Sequence, residues 1–235
     1  MHARLRMLML LPSRLPSEYM CDVLHIPAEE CRSLCAATYG TNGTTFAGLV
    51  EQGHIIDADH WHAFVHGRIQ QSAHLKPDPE LRRLLLSLPQ RKYIFTNADD
   101  KHAEACLRVL GVHDLFLGII TFESLQRVAA ARGSSAILCK PAPEAFLAAL
   151  ELAGAVAEST LFCDDSLRNV AGAAEVGIAA VVVGTAEMCP GAVAAVLDIR
   201  HLHAAVPMLW TAAAPAEEAP AEEALEHGEA IEVLA

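Results

Sequence analysis

Short apolar runs alternate with helix-like patterns through the second half of the chain. Four runs, at residues 92–95, 119–122, 161–163 and 179–183, predict strands, and helical periodicity separates them. The run at 179–183 is so apolar that the sheet containing it must be covered on both faces. This alternation is typical of a parallel sheet with crossover helices, so we predict an α/β fold.

The first third of the chain has a different pattern. Residues 17–52 are helical in character, with boundaries near Pro27 and Gly40, and Asp57 can cap a further helix that runs through Val65. We therefore predict four segments: an N-terminal remnant at 1–16, a small helical cap at 17–75, an α/β core at 76–210 and a tail at 211–235.

The two ends of the chain carry little periodic pattern. The tail is rich in Ala, Glu and Pro and is predicted to be disordered. The N-terminus is basic and has no acid before Glu18, which is weakly compatible with organelle targeting; the alternative is a helix remnant.

Net charge, cysteine content and the length of apolar runs exclude or disfavour several classes of protein. The net charge of −12 falls to −5 once the seven glutamates of residues 212–235 are set aside, and this mildly acidic body argues against a nucleic-acid partner. The seven cysteines are scattered and odd in number, which favours free thiols in a reducing, cytoplasmic compartment. No apolar run approaches the roughly 18 residues of a membrane span. The oligomeric state stays open.

Polar side chains follow three of the predicted strands or the loops beyond them. They are Thr96 and Asn97, then Lys140 held by Pro141, and then the acidic pair Asp164 and Asp165. Because carboxyl ends of parallel strands share one edge of a sheet, we expect these groups to meet. Hydroxyl, amide and lysine groups suit a phosphate, and paired carboxylates suit Mg²⁺. Taken singly, each also has a plainer explanation, as a helix cap or a solvated lysine.

This order of Thr, Lys and an acidic pair resembles the haloacid dehalogenase-like (HAD) hydrolase superfamily. Longer runs are similar to its pyrimidine 5′-nucleotidase branch, especially the plant and algal members. They are Tyr39-Gly40, Thr44 to Val50 (TTFAGLV), Phe64 to Arg68 (FVHGR), Leu75 to Pro79 (LKPDP), Ile94 to Asp99 (IFTNAD), Cys139 to Pro141 (CKP) and Leu161 to Asn169 (LFCDDSLRN).

The resemblance implies a Rossmann-like sheet with a helical cap and a Mg²⁺-dependent reaction on a phosphorylated small molecule, with a nucleoside monophosphate as the expected substrate. By this resemblance, Thr96 binds the phosphoryl oxygens and Asn97 supports Thr96. Lys140 neutralises negative charge on the phosphate and the nucleophile. Asp164 would bind Mg²⁺, while Asp165 would orient the lysine or a metal-bound water.

In this family the nucleophile motif is an Asp-x-Asp at the end of the central first strand. No such motif precedes the helical cap segment at 17–75. The only Asp-x-Asp is Asp57-Ala58-Asp59, which we interpret as a helix cap. Aligning Tyr19-Met20 with the family puts the motif just upstream of Met1. An incomplete gene model, an alternative start or real loss would each explain why the motif is not in the sequence. The central strand is therefore expected to be missing or replaced, and residues 7–11 are one segment that can fill its place.

The cap contributes further candidates. The resemblance makes His66 and Arg68 substrate contacts. His60, His62 and His66 suggest a metal, but we expect their spacing to spread them over different helix faces, and we do not predict zinc there or at Cys31 and Cys35. Two functions stay open: a Mg²⁺-dependent nucleoside 5′-monophosphatase in the full-length form, and a non-catalytic phosphate-binding or interaction protein.

Overall fold

The computed structural model describes residues 14–211 and 232–234, and for the last three only the backbone. Predictions for the first 13 residues, including residues 7–11, lie outside the described residues. Eleven α-helices are labelled along the described chain: Arg14–Asp22 (α1), Ala28–Asn42 (α2), Thr45–Glu51 (α3), Ala58–Val65 (α4), Gln71–His74 (α5), Pro79–Ser87 (α6), Asp100–Leu110 (α7), Phe122–Ala131 (α8), Pro143–Ala153 (α9), Leu167–Glu175 (α10) and Leu202–Ala205 (α11).

Six strands form one sheet: Lys92–Phe95 (β1), Gly118–Ile120 (β2), Thr160–Asp164 (β3), Ala179–Val183 (β4), Ala192–Val196 (β5) and Glu232–Leu234 (β6). Their spatial order is β2-β1-β6-β3-β4-β5, and every neighbouring pair is parallel. Short 3₁₀ segments lie at His113–Leu115, Ala157–Ser159, Ile199–His201 and Pro207–Trp210. The predicted α/β class is confirmed.

Local sequence accounts for many of the helix ends. The Asp57 side chain accepts a hydrogen bond from the His60 N–H at 2.7 Å, so Asp57 is the predicted cap of α4. Pro143 opens α9, and Gly154 closes it in the left-handed conformation with φ of 61°. The predicted strand at 119–122 is wrong at its end, because Thr121 caps α8, a helix that the sequence pattern did not predict.

The sheet is covered on both faces. Successive residues of β3 alternate: Phe162 packs with Phe95 and Phe146 in one core, whereas Leu161 and Cys163 belong to the core on the opposite face. α8, α9 and α10 contribute to the first core, and α6, α7 and α11 to the second. A third core lies within the N-terminal helices, where Tyr19, Met20, Phe46, Leu49 and Trp61 are buried together, and Phe122 of the sheet-bearing part joins it.

The centre of the sheet is held by the C-terminal strand. In β6, Val233 pairs with Lys92 of β1 on one side and with Leu161 of β3 on the other. The expected gap at the centre of the sheet is therefore occupied by residues 232–234. The predicted disorder of the tail is wrong for 232–234, because two flanking strand edges supply backbone partners to a segment with no strand pattern of its own. Residues 212–231 and 235 lie outside the described residues.

Within the described part of the chain, no helix combines the length and apolar character needed to cross a bilayer.

Candidate active site at the carboxyl edge of the sheet

Lys140 is the buried charge around which the site is built. Its Nζ lies 2.8 Å from Asp164 Oδ2 and donates to the Phe95 carbonyl at 2.6 Å. The Nζ also lies 4.8 Å and 5.0 Å from the ring centroids of Phe95 and Phe162. Lys140 is only 5% exposed. A lysine this buried needs a charge partner and acceptors, and the ends of β1 and β3 supply both.

Asn97 fixes the backbone of the lysine loop. Its Nδ2 donates to the Lys140 carbonyl, and its Oδ1 accepts from the Lys140 N–H, both at 2.9 Å. Beside it, Thr96 Oγ1 accepts from the Ala98 N–H at 3.1 Å, which leaves the Thr96 hydroxyl hydrogen available to another acceptor. Thr96, Asn97, Lys140 and Asp164 thus converge at one edge, as the order of the motifs predicts.

Asp164 is held by donors on both of its oxygens. Oδ2 faces Lys140, while Oδ1 accepts from the Ser166 N–H at 2.8 Å and from Asn169 Nδ2 at 3.0 Å. Asn169 was not singled out in the sequence, although its place one turn into α10 after the acidic pair is a usable signal. Asp164 is the carboxylate that orients Lys140, and the expected role of Asp165, orienting the lysine or a metal-bound water, stays a prediction. Asp165 is exposed at the start of the following loop.

The acidic pair fits the chemistry of Mg²⁺. This ion takes oxygen ligands, usually one or two carboxylates with waters and phosphate oxygens. Asp165 is exposed beside Asp164 in the sequence, and Asp164 Oδ2 has a remaining lone pair beside Lys140. The donor set therefore suits a hard cation with part of its shell supplied by water or substrate.

The N-terminal helices press against the lysine loop at a glycine. Gly43 follows α2 with φ of 80°, and a Cβ built there would lie 2.0 Å from the Lys140 carbonyl oxygen and 2.6 Å from Pro141 Cδ. Next to it, Cys139 Sγ contacts the Asn42 carbonyl at 3.3 Å. Only a glycine allows this approach, so the position of Lys140 depends on the helical part.

The two cap residues predicted as substrate contacts have different surroundings. His66 Nδ1 donates to Asp99 Oδ2, which brings His66 to the loop that carries Thr96 and Asn97. Arg68 pairs with Glu18 at 3.1 Å and lies over the Phe64 ring at 4.6 Å, with its side chain 49% exposed.

A histidine cluster joins α4 to the start of α7. His62 and His66 lie one turn apart and on the same helix face, with their Nδ1 atoms 3.3 Å apart, so the expectation of different faces is wrong for this pair. His60 does lie on a different face, as expected, and its Nδ1 contacts the Tyr19 hydroxyl at 3.2 Å. The His62 Nδ1 also lies 3.6 Å from Asp99 Oδ2. His102 extends the cluster, with its ring 4.9 Å from that of His66.

Burial controls the charges of this cluster. It lowers the pKa of His62 to about 4, and the neighbouring His66 adds to the effect. Burial likewise lowers the pKa of His102 to about 4. Burial alone would raise the pKa of Asp99, but the hydrogen bonds from His66 and from the His102 backbone N–H hold it well below its usual range. At neutral pH, Asp99 is thus an ionised carboxylate near the neutral imidazoles of His62 and His102.

Phosphoryl transfer through a covalent intermediate would need a carboxylate at the end of the central strand, and the described residues of that strand do not supply one there. The central strand β6 has the sequence Glu-Val-Leu, and Glu232 begins it, at the opposite edge of the sheet from Lys140. Asp57 of the Asp-x-Asp sequence is occupied in capping α4. Within the described residues, no aspartate side chain from the central strand faces Lys140.

Comparisons with known proteins agree with this geometry. A family model described as haloacid dehalogenase-like hydrolase matches residues 22–177. "Phosphate metabolism protein 8" of Saccharomyces cerevisiae is 30% identical over 162 residues, which cover 66% of this chain and 49% of that protein. The chain thus spans about half the length of this curated relative.

Among solved structures, a HAD phosphatase from Thermococcus onnurineus is similar, with a TM-score of 0.53 and 19% identity over 87% of this chain and 91% of that one. A haloacid dehalogenase-like protein of unknown function from Agrobacterium tumefaciens has a TM-score of 0.52 and 17% identity, over 85% of this chain and 91% of the other. These two likenesses concern the fold.

Proposed function

Because the chain belongs to the haloacid dehalogenase-like hydrolase family, we propose that its site binds phosphate monoesters and serves their Mg²⁺-dependent hydrolysis. The observation that carries the proposal is the buried Lys140–Asp164 pair beside Thr96 at the carboxyl edge of the sheet. We further propose pyrimidine nucleoside 5′-monophosphates as the substrate class, on the basis of the sequence runs shared with that branch.

Each side chain has a role that follows from its hydrogen bonds. Lys140 holds a fixed positive charge, which stabilises negative charge on phosphoryl oxygens. Thr96 offers its hydroxyl hydrogen to one of those oxygens, since the Ala98 N–H occupies only its acceptor side. Both polar atoms of Asn97 are used by the Lys140 backbone, so Asn97 acts by positioning the lysine. Phosphoryl transfer depends mainly on such positioning and charge neutralisation.

Asp165 and Asp164 are the residues that would hold Mg²⁺. When bound, the ion supplies positive charge to the phosphate and the attacking group. Asp164 ends β3 and Asp165 follows it, so we assign both to the metal site, with Asp164 as the direct ligand that the resemblance implies.

A second function is favoured by the central strand. Hydrolysis through a covalent intermediate needs a carboxylate at the carboxyl end of that strand, whereas β6 begins with Glu232 and ends at Leu234. The alternative is therefore a protein that binds a phosphorylated small molecule without turning it over. Both functions use Thr96 and Lys140 in the same way, so binding and turnover have to be measured separately.

The substrate proposal also rests on the helical part. His66 reaches the loop after β1 through Asp99, and Arg68 lies beyond it on the exposed surface with a guanidinium group suited to a nucleotide. One similar structure is described as a predicted phosphoglycolate phosphatase from Haemophilus somnus, with a TM-score of 0.50 and 17% identity over 82% of this chain and 89% of the other. A phosphorylated small molecule is the substrate class that this description shares with the pyrimidine 5′-nucleotidase branch.

The test compares binding and phosphate release on the full chain. Binding of uridine and cytidine monophosphates is measured by calorimetry with Mg²⁺, and phosphate release is assayed on the same samples. Lys140→Met should abolish binding, whereas Lys101→Met, at an exposed helical position, should not. Lys140-dependent release supports the hydrolase, and binding without release supports the alternative. Equal binding by wild type and Lys140→Met would refute the phosphate site.

A further inference from the structure

The histidine cluster has the geometry of a metal site that is separate from the acidic pair. Among the described residues, His62, His66 and Asp99 are the group whose ligand atoms all lie within 4.8 Å of one another. Zinc bound to nitrogen and oxygen at about 2.0–2.1 Å in a tetrahedron separates its ligand atoms by roughly 3.3 Å. The Nδ1 atoms of His62 and His66 are 3.3 Å apart, and His62 Nδ1 is 3.6 Å from Asp99 Oδ2. Two of the three separations therefore already match, and the closer His66–Asp99 contact has to open.

The backbone holds these three side chains in place. His62 and His66 are four residues apart at the end of α4, which sets their rings on one face. Asp99 is the N-cap of α7, where its Oδ1 accepts the His102 N–H at 2.9 Å and leaves Oδ2 turned toward the histidines. The His62 and Asp99 side chains are only 9% and 8% exposed. Such a site costs little reorganisation, because packing and capping have already oriented its ligands.

The ligand types select among cations. Two imidazoles and one carboxylate are the set that zinc uses in sites with three protein ligands and one open position. Mg²⁺ and Ca²⁺ prefer all-oxygen surroundings, so the cluster and the acidic pair differ in the ion they suit. The His66 side chain is 20% exposed, which gives water access to the fourth position.

We propose that His62, His66 and Asp99 bind a Zn²⁺ ion that fastens the N-terminal helical part to the loop carrying Thr96 and Asn97. The ion would replace the His66–Asp99 hydrogen bond with bonds from one centre to both elements. His102 supports this arrangement, since its ring lies against His66 and its Nδ1 is 3.2 Å from Gln71 Nε2. The proposal does not depend on the phosphate chemistry of the neighbouring edge.

The experiment titrates Zn²⁺ into the full, metal-free chain by calorimetry, with excess Mg²⁺ present and a non-chelating reductant to keep the thiols free. One site should be found. Asp99→Asn and His66→Gln should each weaken it by more than about tenfold. His60→Gln is the matched control, because His60 lies on the same helix but contacts Tyr19, and it should bind as wild type does.

Co²⁺ as a spectroscopic probe separates this site from the seven cysteines. A tetrahedral Co²⁺ spectrum without a thiolate charge-transfer band is expected for wild type and His60→Gln, and its loss is expected in Asp99→Asn. If His66→Gln fails to fold by circular dichroism, His62→Gln takes its place. A dissociation constant above about 100 μM for wild type, or unchanged binding in Asp99→Asn, would overturn the proposal and leave the cluster as a hydrogen-bonded contact.

Discussion

Lys140 and Asp164 form an ion pair of 2.8 Å between side chains that are only 6% and 9% exposed. Removing one partner of such a pair leaves the other buried without compensation, at about 3–5 kcal/mol. We therefore expect Lys140→Met to lower the free energy of unfolding by that amount. The double variant Lys140→Met/Asp164→Asn should lose less than the sum of the two single variants. Urea denaturation of all four proteins measures this coupling, and strictly additive losses would show that the pair is not coupled.

The loop of Lys140 should be sensitive to the glycine that it touches. Gly43→Ala adds the left-handed strain of a non-glycine residue, about 1–2 kcal/mol, to a clash with the Lys140 carbonyl. Gly53→Ala is a matched control, since Gly53 has φ of 91° but no atom within 4 Å of the point where a Cβ would lie. We expect Gly43→Ala to be the more destabilising variant by at least about 1 kcal/mol and also to weaken phosphate binding. Equal melting temperatures would contradict the close approach.

Stability should fall as the pH drops from about 6.5 to about 4. The unfolded chain protonates His62 and His102 below their ordinary pKa of 6.5, whereas in the folded chain their pKa values are lowered to about 4. The unfolded state therefore binds more protons in this window, and each histidine can cost the folded state roughly 3 kcal/mol by pH 4. Well above pH 6.5 both histidines are neutral in the folded and in the unfolded chain, so this cost to the folded state is absent.

The measurement is the free energy of unfolding in urea between pH 4 and 7.5, with a chelator present. His62→Gln should reduce the pH dependence without abolishing it, because glutamine takes up no proton while His102 remains. His60→Gln, which leaves the cluster intact, should keep it. A wild-type profile with no slope between pH 6.5 and 4 would contradict the burial of these imidazoles.

The C-terminal strand should be essential to the sheet. Val233→Pro removes a backbone donor from the centre of a sheet, where proline is not tolerated, and should cost at least the roughly 1–3 kcal/mol of a buried carbonyl left without a donor. Val233→Ala keeps the N–H and serves as the control. Amide hydrogen exchange at residues 93–95 and 160–163 provides a local readout, since those strands flank β6. Unchanged protection in Val233→Pro would show that β6 does not occupy the centre in solution.

Much of this protein is determined by local sequence. The strands at 92–95 and 179–183 have the predicted bounds, and so does the helix at 143–153, because apolar runs, caps and glycine stops act over a few residues. The meeting of Thr96, Asn97, Lys140 and Asp164 also follows from sequence, since parallel strands deliver their ends to one edge.

The tertiary structure decided the rest, because those features depend on contacts between distant segments. The pairing of Asp164 with Lys140 depends on the direction in which β3 ends, which the sequence of two adjacent acids does not reveal. The approach of Asp99 to His62 and His66 spans more than thirty residues and requires the helical part to dock. The three residues of β6 have no strand pattern of their own, and they form a strand because the unpaired edges of β1 and β3 supply its hydrogen bonds.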